Sequence, residues 1–238
     1  MQRVRENGID GVAGIAVCGV GSLICLAVGL GSHQLGWLWG ALIYGVLGGC
    51  FLHTTLVGKG VIWDRLLPQL DLSAQTQALD VGCGHGLVML KIAERLPLGG
   101  HVTGIDIWRQ QDQTHNSLQA TTDRIAAADL TAQASVVTAD MRELPFRDQQ
   151  FNLVVSSLAV HNVKPKTGRL ESLQEMNRVL QPGGQLVIVD LGFTCQEYHE
   201  ALRRLGFTDI RVTGNGYNGW WSGPWMPTLT LTARKPTP

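Results

Sequence analysis

The sequence predicts an α/β chain: a doubly wound, mostly parallel sheet with an antiparallel ending, preceded by two apolar helices. Three observations predict it. Residues 11–30 and 35–52 carry no charged side chain. After Gly58, short strand-like apolar runs alternate with helix-like ones, the pattern of a parallel sheet covered on both faces. The last two strand-like runs follow one another without a helix between them, which suits an antiparallel pair.

The apolar pair comes first. Each run matches the roughly 20 helical residues that cross a bilayer core, and the next charge after the second is Lys59. We assign residues 1–58 to a membrane-anchoring helical hairpin, with spans at about 11–30 and 35–57, and residues 59–238 to a second domain. Gly31, Ser32, His33 and Gln34 form a short link, so the helices run antiparallel. Small residues recur every four positions: Gly21, Cys25 and Gly29, then Gly36 and Gly40, then Ala41, Gly45 and Gly49. In lipid that spacing lets two helices approach closely. Trp37 and Trp39 stand where an interfacial ring is expected. Arg3 and Arg5 precede the pair, Lys59 and Arg65 follow it, and the link has no Lys or Arg. The expected topology is multi-pass, with both flanks and the second domain facing the cytoplasm. A cleaved signal peptide fits poorly, since the first run is too long and no small-x-small site precedes Gln34. A buried core hairpin is the other reading.

The strands are expected at residues 78–81, 102–107, 135–139, 151–156, 185–191, 208–212 and 228–232. Helices are expected at 62–67, 87–96, 117–128 with Ser117 as cap, 169–180, and 196–205 ending at Gly206. Pro182, Gly183 and Gly184 read as a turn, and the loop 214–227 carries Trp220, Trp221 and Trp225.

Composition narrows function. Nineteen basic and nineteen acidic side chains cancel, which gives no support for a nucleic-acid partner. The five cysteines form no CxxC pair, so no zinc or thioredoxin-type framework is indicated, and no metal site is expected. The set suits a reducing compartment.

The chemistry lies at the strand ends. Residues 79–86 read LDVGCGHG, between a strand and a helix, where glycines let a ligand approach the backbone. Asp106 ends the next strand, where a carboxylate can hold ribose hydroxyls, and Asp140 ends the third, where one can take an adenine amine. A dinucleotide fingerprint would place Gly or Ala at position 87, which is Leu87; the third glycine is Gly86 instead. That spacing disfavours NAD.

At these residues the chain resembles class I S-adenosylmethionine-dependent methyltransferases, and within them the ubiquinone/menaquinone-type C-methyltransferases. The likeness covers residues 62–236 and rests on LDVGCGHG (79–86), GID (104–106), ADMRELPFRDQQFNLVVSS (139–157), HNV (161–163) and RVLQPGGQLVIVD (178–190). It implies a Rossmann-like sheet of the seven-strand methyltransferase type with S-adenosylmethionine as cofactor. It implies that Gly82, Cys83, Gly84 and Gly86 line the methionine and ribose side, with Asp80 behind them holding the loop or the ligand ammonium. Asp106 would hold the ribose, Ile107 the adenine face, and Asp140 and Met141 the adenine edge. Ser156 and Ser157 would stand beside the transferring methyl.

His161 is the candidate catalytic base, since an imidazole titrates near neutrality; packing is the plainer reading. His85, His115 and Asp112 are left open, and Cys83 has no activating partner in the sequence. Few residues separate the fifth strand from the next helix, so acceptor recognition falls to residues 59–72, the polar loop 108–116 or the Trp-rich loop. A membrane anchor suggests a lipophilic acceptor, a quinol or prenyl-lipid ring. A phospholipid head-group amine, a small soluble acceptor, and a non-catalytic cofactor-binding membrane module are the alternatives. The oligomeric state is not legible.

Overall fold

The computed structural model describes residues 10–110 and 113–237. Arg3, Arg5 and Asp112 lie outside the described residues. Helix α1 (Val12–Ser32) and helix α2 (Gly36–His53) form an antiparallel pair. The pair closes through small residues, though not all those expected. A Cβ on Gly21 would touch the Tyr44 ring at 3.1 Å, one on Gly29 would touch Trp37 and Leu38, and one on Gly40 would meet Cys25 Sγ at 3.0 Å. Gly36 and Gly49 face open space, while Gly48 packs on Cys18. Ser22 Oγ donates to Ala41 O at 2.9 Å across the pair.

The composition changes at Gly58, but the helix does not stop there. A π-turn (Thr54–Gly58) carries α2 into α3 (Lys59–Leu66), so helical backbone runs unbroken to Gln69.

The remaining elements are β1 (Gln77–Val81), α4 (Leu87–Ala93), β2 (His101–Asp106), α5 (Leu118–Ala127), β3 (Ala134–Thr138), β4 (Phe151–Ser157), α6 (Lys166–Val179), β5 (Leu180–Leu191), α7 (Gly192–Arg204), β6 (Thr208–Gly214) and β7 (Thr228–Arg234). They build one seven-stranded sheet in the order β3-β2-β1-β4-β5-β7-β6. Only β7 runs against its neighbours, pairing antiparallel with β5 and β6. The expected doubly wound mixed sheet is present.

Alternation along the strands separates two cores, because successive side chains leave opposite faces. Ala78, Val155 and Val187 join Trp63, Met89, Ile92 and Ile125 under α3, α4 and α5. Leu79, Val154 and Leu186 join Leu173, Met176, Tyr198 and Leu202 under α6 and α7. Each fully buried Leu or Val in these layers contributes roughly 1.5–3 kcal/mol. Ser117 caps α5 as expected, its Oγ accepting from Ala120 N at 3.1 Å.

The Pro182-Gly183-Gly184 stretch is a break in pairing inside β5 rather than a turn before it. The β4–β5 register jumps there, and Gly183 and Gly184 exchange backbone hydrogen bonds with Lys235 instead.

Candidate active site

The parallel strands end at one edge, and a cleft opens there where the order reverses between β1 and β4, as such sheets require. Its walls include Asp80, Gly82, Cys83, Gly84, Asp106, Ile107, Asp140 and Met141. Eight of the expected cofactor residues are thus brought together.

The glycine loop is shaped by backbone needs. Gly82 has φ +75° and Gly84 φ +50°, the left-handed region that glycine enters without strain. Space adds a second reason: a Cβ on Gly82 would sit 2.2 Å from Ala159 Cβ, and one on Gly84 2.3 Å from Gln113 Oε1. Gly82 N and Cys83 N both donate to Ile105 O at 2.9 Å, pinning the loop to the end of β2.

Two expected residues are placed elsewhere. Gly86 does not line the cleft; it opens α4 at φ +76°, and a Cβ there would press on Met89 and Thr121. Ser156 is fully buried in the sheet, its Oγ donating to Val81 O at 2.7 Å. Ser157 takes the wall position, and its Oγ accepts from the buried Trp63 Nε1 at 2.9 Å.

Asp80 is 1 % exposed. Its Oδ2 accepts from Met89 N at 3.0 Å, while Oδ1 has no partner among the described residues. Burial pushes its pKa up to about 7, against the pull of the Met89 hydrogen bond. Asp106 fastens three segments: its Oδ2 accepts from Gly84 N at 2.9 Å, and its Oδ1 from Trp108 N at 2.6 Å and Asn116 Nδ2 at 3.1 Å. A carboxylate has about four acceptor sites, so capacity remains for a ligand hydroxyl. Asp140 is held by the Arg142 guanidinium, with Nη2 donating to Oδ2 at 2.7 Å, which keeps its carboxyl below the usual range. Burial, with Asp80 and Asp106 nearby, raises the Cys83 thiol well above its ordinary value, so it is no nucleophile.

Of the histidines left open, His85 is 5 % exposed and its Nε2 lies 2.7 Å from Thr114 O; burial lowers its pKa. It is a strut of the loop. His161 stands beside the cleft rather than in its wall, between wall residues Ala159 and Asn162. Its Nδ1 lies 2.5 Å from Asp190 Oδ1 and its backbone N donates to Asp190 Oδ2 at 3.0 Å. Tyr198 OH also donates to the fully buried Asp190, at 3.0 Å. Donation from Nδ1 to Asp190 leaves Nε2 as an acceptor, the arrangement of an oriented base. Asp190 and Tyr198 escape sequence reading because their pairing needs the fold.

The cleft also has Asp10, which sequence reasoning did not place there, and Lys59, Gln113 and Asn116, which come from two of the segments, 59–72 and 108–116, expected to serve acceptor recognition. Among the described residues, no three His, Cys, Asp or Glu side chains gather as a metal site.

Residues 79–188 match the family described as a methyltransferase domain. The match runs from β1 into β5 and covers just under half of the chain. Among curated relatives, the chain is 31 % identical over 127 residues to a sterol 4-C-methyltransferase of Caenorhabditis elegans, covering 53 % of this chain and 34 % of the relative. It is 32 % identical over 130 residues to a demethylmenaquinone methyltransferase of Staphylococcus aureus, covering 54 % of this chain and 49 % of the relative. The aligned part therefore spans a third to a half of these relatives. Among solved structures, a geranyl diphosphate methyltransferase in complex with S-adenosylmethionine superposes with TM-score 0.61 at 15 % identity, over 77 % of this chain and 87 % of that one. The [4+2]-cyclase SpnF superposes at TM-score 0.62 with 19 % identity, over 75 % and 82 %. That a cyclase shares the sheet makes the structural likeness a statement of fold alone.

The cofactor indicated for the matched domain is S-adenosylmethionine, and the cleft fits it. A glycine cradle closed to any Cβ, an orphaned buried carboxylate oxygen and two carboxylates at successive strand ends are what an adenosyl amino acid requires.

Proposed function

We propose that the protein transfers a methyl group from S-adenosylmethionine to a lipophilic ring, a quinol or prenyl-lipid, while its hairpin spans a membrane. The observation that carries this reading is the hairpin's exposure beside the cleft. Only 17 % of the most apolar window of each helix is buried, and Val17, Leu23, Leu30, Trp39 and Ile43 are all exposed. A core hairpin would bury such residues; a contiguous apolar surface of this size marks contact with lipid or a partner. The curated relatives named for sterol and menaquinone chemistry support a lipophilic acceptor.

When bound, the cofactor supplies an activated methyl group for in-line displacement. The protein's part is to align and desolvate, which can supply roughly 7–11 kcal/mol in well-oriented systems. Asp106 would take the ribose hydroxyls, Ile107 the adenine face, Asp140 and Met141 the adenine edge and Asp80 the ammonium. His161, oriented by Asp190, would take a proton from an acceptor hydroxyl or ring position. Lys59 and Arg65 follow the second span, and positive charge on that side supports a cytoplasmic domain.

The test is the full chain in lipid nanodiscs loaded with methyl-labelled cofactor and a total lipid extract. Label in a quinone or prenyl-lipid band is the expected result. Label in phosphatidylethanolamine derivatives moves the acceptor to a head-group amine, label only in the aqueous phase removes the lipid acceptor, and binding without turnover leaves a sensing module.

A further inference from the structure

Asp10 and Lys59, at the roots of the hairpin's two helices, both line the wall of the cleft. Helix α1 begins two residues after Asp10, and α3 begins with Lys59. Lys59 Nζ lies 2.6 Å from Asp10 Oδ2, and the two side chains are 6 % and 13 % exposed. Asp10 Oδ1 accepts from Gln113 Nε2 at 2.8 Å, and Gln113 Oε1 accepts from His85 N at 3.0 Å. A chain of polar contacts thus runs from the hairpin roots into the glycine loop.

A buried ion pair is a poor device for stability, because desolvating two charges offsets most of their attraction. Here the pair lines a ligand cleft, in the same wall as Asp80, whose Oδ1 is unpartnered and whose carboxyl feels the Lys59 charge. One cation and two anions therefore gather at the glycine-loop end. That set complements a zwitterion: an ammonium for Asp80, a carboxylate for Lys59. Lys59 has three donors, and among the described residues its hydrogen bond goes to Asp10.

The root is also held firmly. Thr54 Oγ1 donates to Trp220 O at 2.6 Å, His53 Nε2 lies 3.1 Å from Asn218 Oδ1, and Phe51 packs edge-on against Trp221 with ring centroids 5.4 Å apart. A Cβ on Gly58 would lie 2.0 Å from Asn218 O, so only glycine allows this approach. Trp221 clusters with Cys18 and Phe51 of the hairpin and with Leu158 and Leu191 at the ends of β4 and β5, while Trp225 of the same loop is exposed.

We propose that Lys59, held by Asp10, binds the carboxylate of the cofactor's amino-acid end, so that seating of the hairpin on the domain is a condition of cofactor binding. This rests on the cofactor reading above and makes the hairpin half of the site rather than a tether. Displacing α1 removes Asp10, leaves Lys59 unpaired and frees Gln113 from one of its anchors on the loop.

The test uses the full chain in nanodiscs and two probes, S-adenosylhomocysteine and 5′-methylthioadenosine. They share the thioether adenosine, and only the first has an amino-acid end. In Lys59→Met, the affinity for S-adenosylhomocysteine should fall tenfold or more while that for 5′-methylthioadenosine stays within twofold. Unchanged S-adenosylhomocysteine affinity, or an equal loss of both probes, overturns the proposal. The swapped pair, Asp10→Lys with Lys59→Asp, keeps an ion pair and decides the matter should the single variant fail to fold. It should also lose S-adenosylhomocysteine selectively, and wild-type affinity in it overturns the proposal. If neither probe binds the unmodified chain, the cofactor reading itself falls, and this proposal with it.

Discussion

Leu23 and Leu186 are the same residue in regular secondary structure, yet the first is 67 % exposed and the second fully buried. The hairpin and the sheet are both rich in apolar side chains, but the sheet supplies its own cover and the hairpin does not. In the sheet, two helical layers remove strand side chains from water. In the hairpin, the two helices bury little beyond the small residues between them, and Cys18, Cys25 and Gly29 are the buried positions of α1. Hydrophobicity alone therefore does not say what a segment is for; an apolar surface left uncovered marks contact with lipid or with a partner.

The largest effect expected from that contrast follows Leu23→Arg combined with Ile43→Arg. Both sites are exposed. In water such changes stay within about ±0.5 kcal/mol each; at the middle of a span each Arg costs about 2.5–3.5 kcal/mol. The double variant should leave the membrane fraction on ultracentrifugation, and unchanged partition would break the comparison. Leu186→Ala sharpens it from the other side. It should cost about 2–5 kcal/mol of domain stability by denaturant titration and leave membrane partition intact.

Asp106→Ala comes next. It removes charge-assisted hydrogen bonds worth about 1.5–3 kcal/mol, and it also releases Gly84, Trp108 and Asn116. Calorimetry should show at least a tenfold weaker cofactor, with the hairpin still inserted. A pH-dependent effect concerns Asp80. Its folded-state pKa of about 7 lies above the 3.8 of the free carboxyl, so the native state binds the extra proton between those values. Stability of the ligand-free domain should fall as pH rises from about 4 to 7, since the unfolded chain ionises first. Cofactor affinity should do the opposite, rising up to about pH 7 as the carboxylate that takes the ammonium becomes available. Asp80→Asn should flatten both profiles.

Much of the sheet was legible because buried parallel strands are apolar runs and the glycine loop announces itself. The side-chain parity of β4 was not. Its residues VVSS are apolar or small on both faces, so no alternation tells which serine faces the cleft, and a shift of one residue reverses the answer. Ser157, not Ser156, proved to be the wall residue. The hairpin roots were hidden for another reason. Asp10 and Lys59 are 49 positions apart, and Lys59 reads as a charge flanking a span. Only the closed hairpin makes them neighbours. Asp190 with His161 is the same case at a separation of 29.

The unbroken helix from Gly36 to Gln69 sets a height. At 1.5 Å per residue, Lys59 stands about 35 Å along it from Gly36, and a hydrocarbon layer is about 30 Å thick. In the membrane-spanning arrangement proposed above, an upright α2 lifts the glycine loop only to the level of the phosphate groups. A ring on a long isoprenoid tail could reach the cleft by bobbing a few ångströms, its tail never leaving the oil. A water-borne acceptor would have to approach through the crowded head-group layer instead.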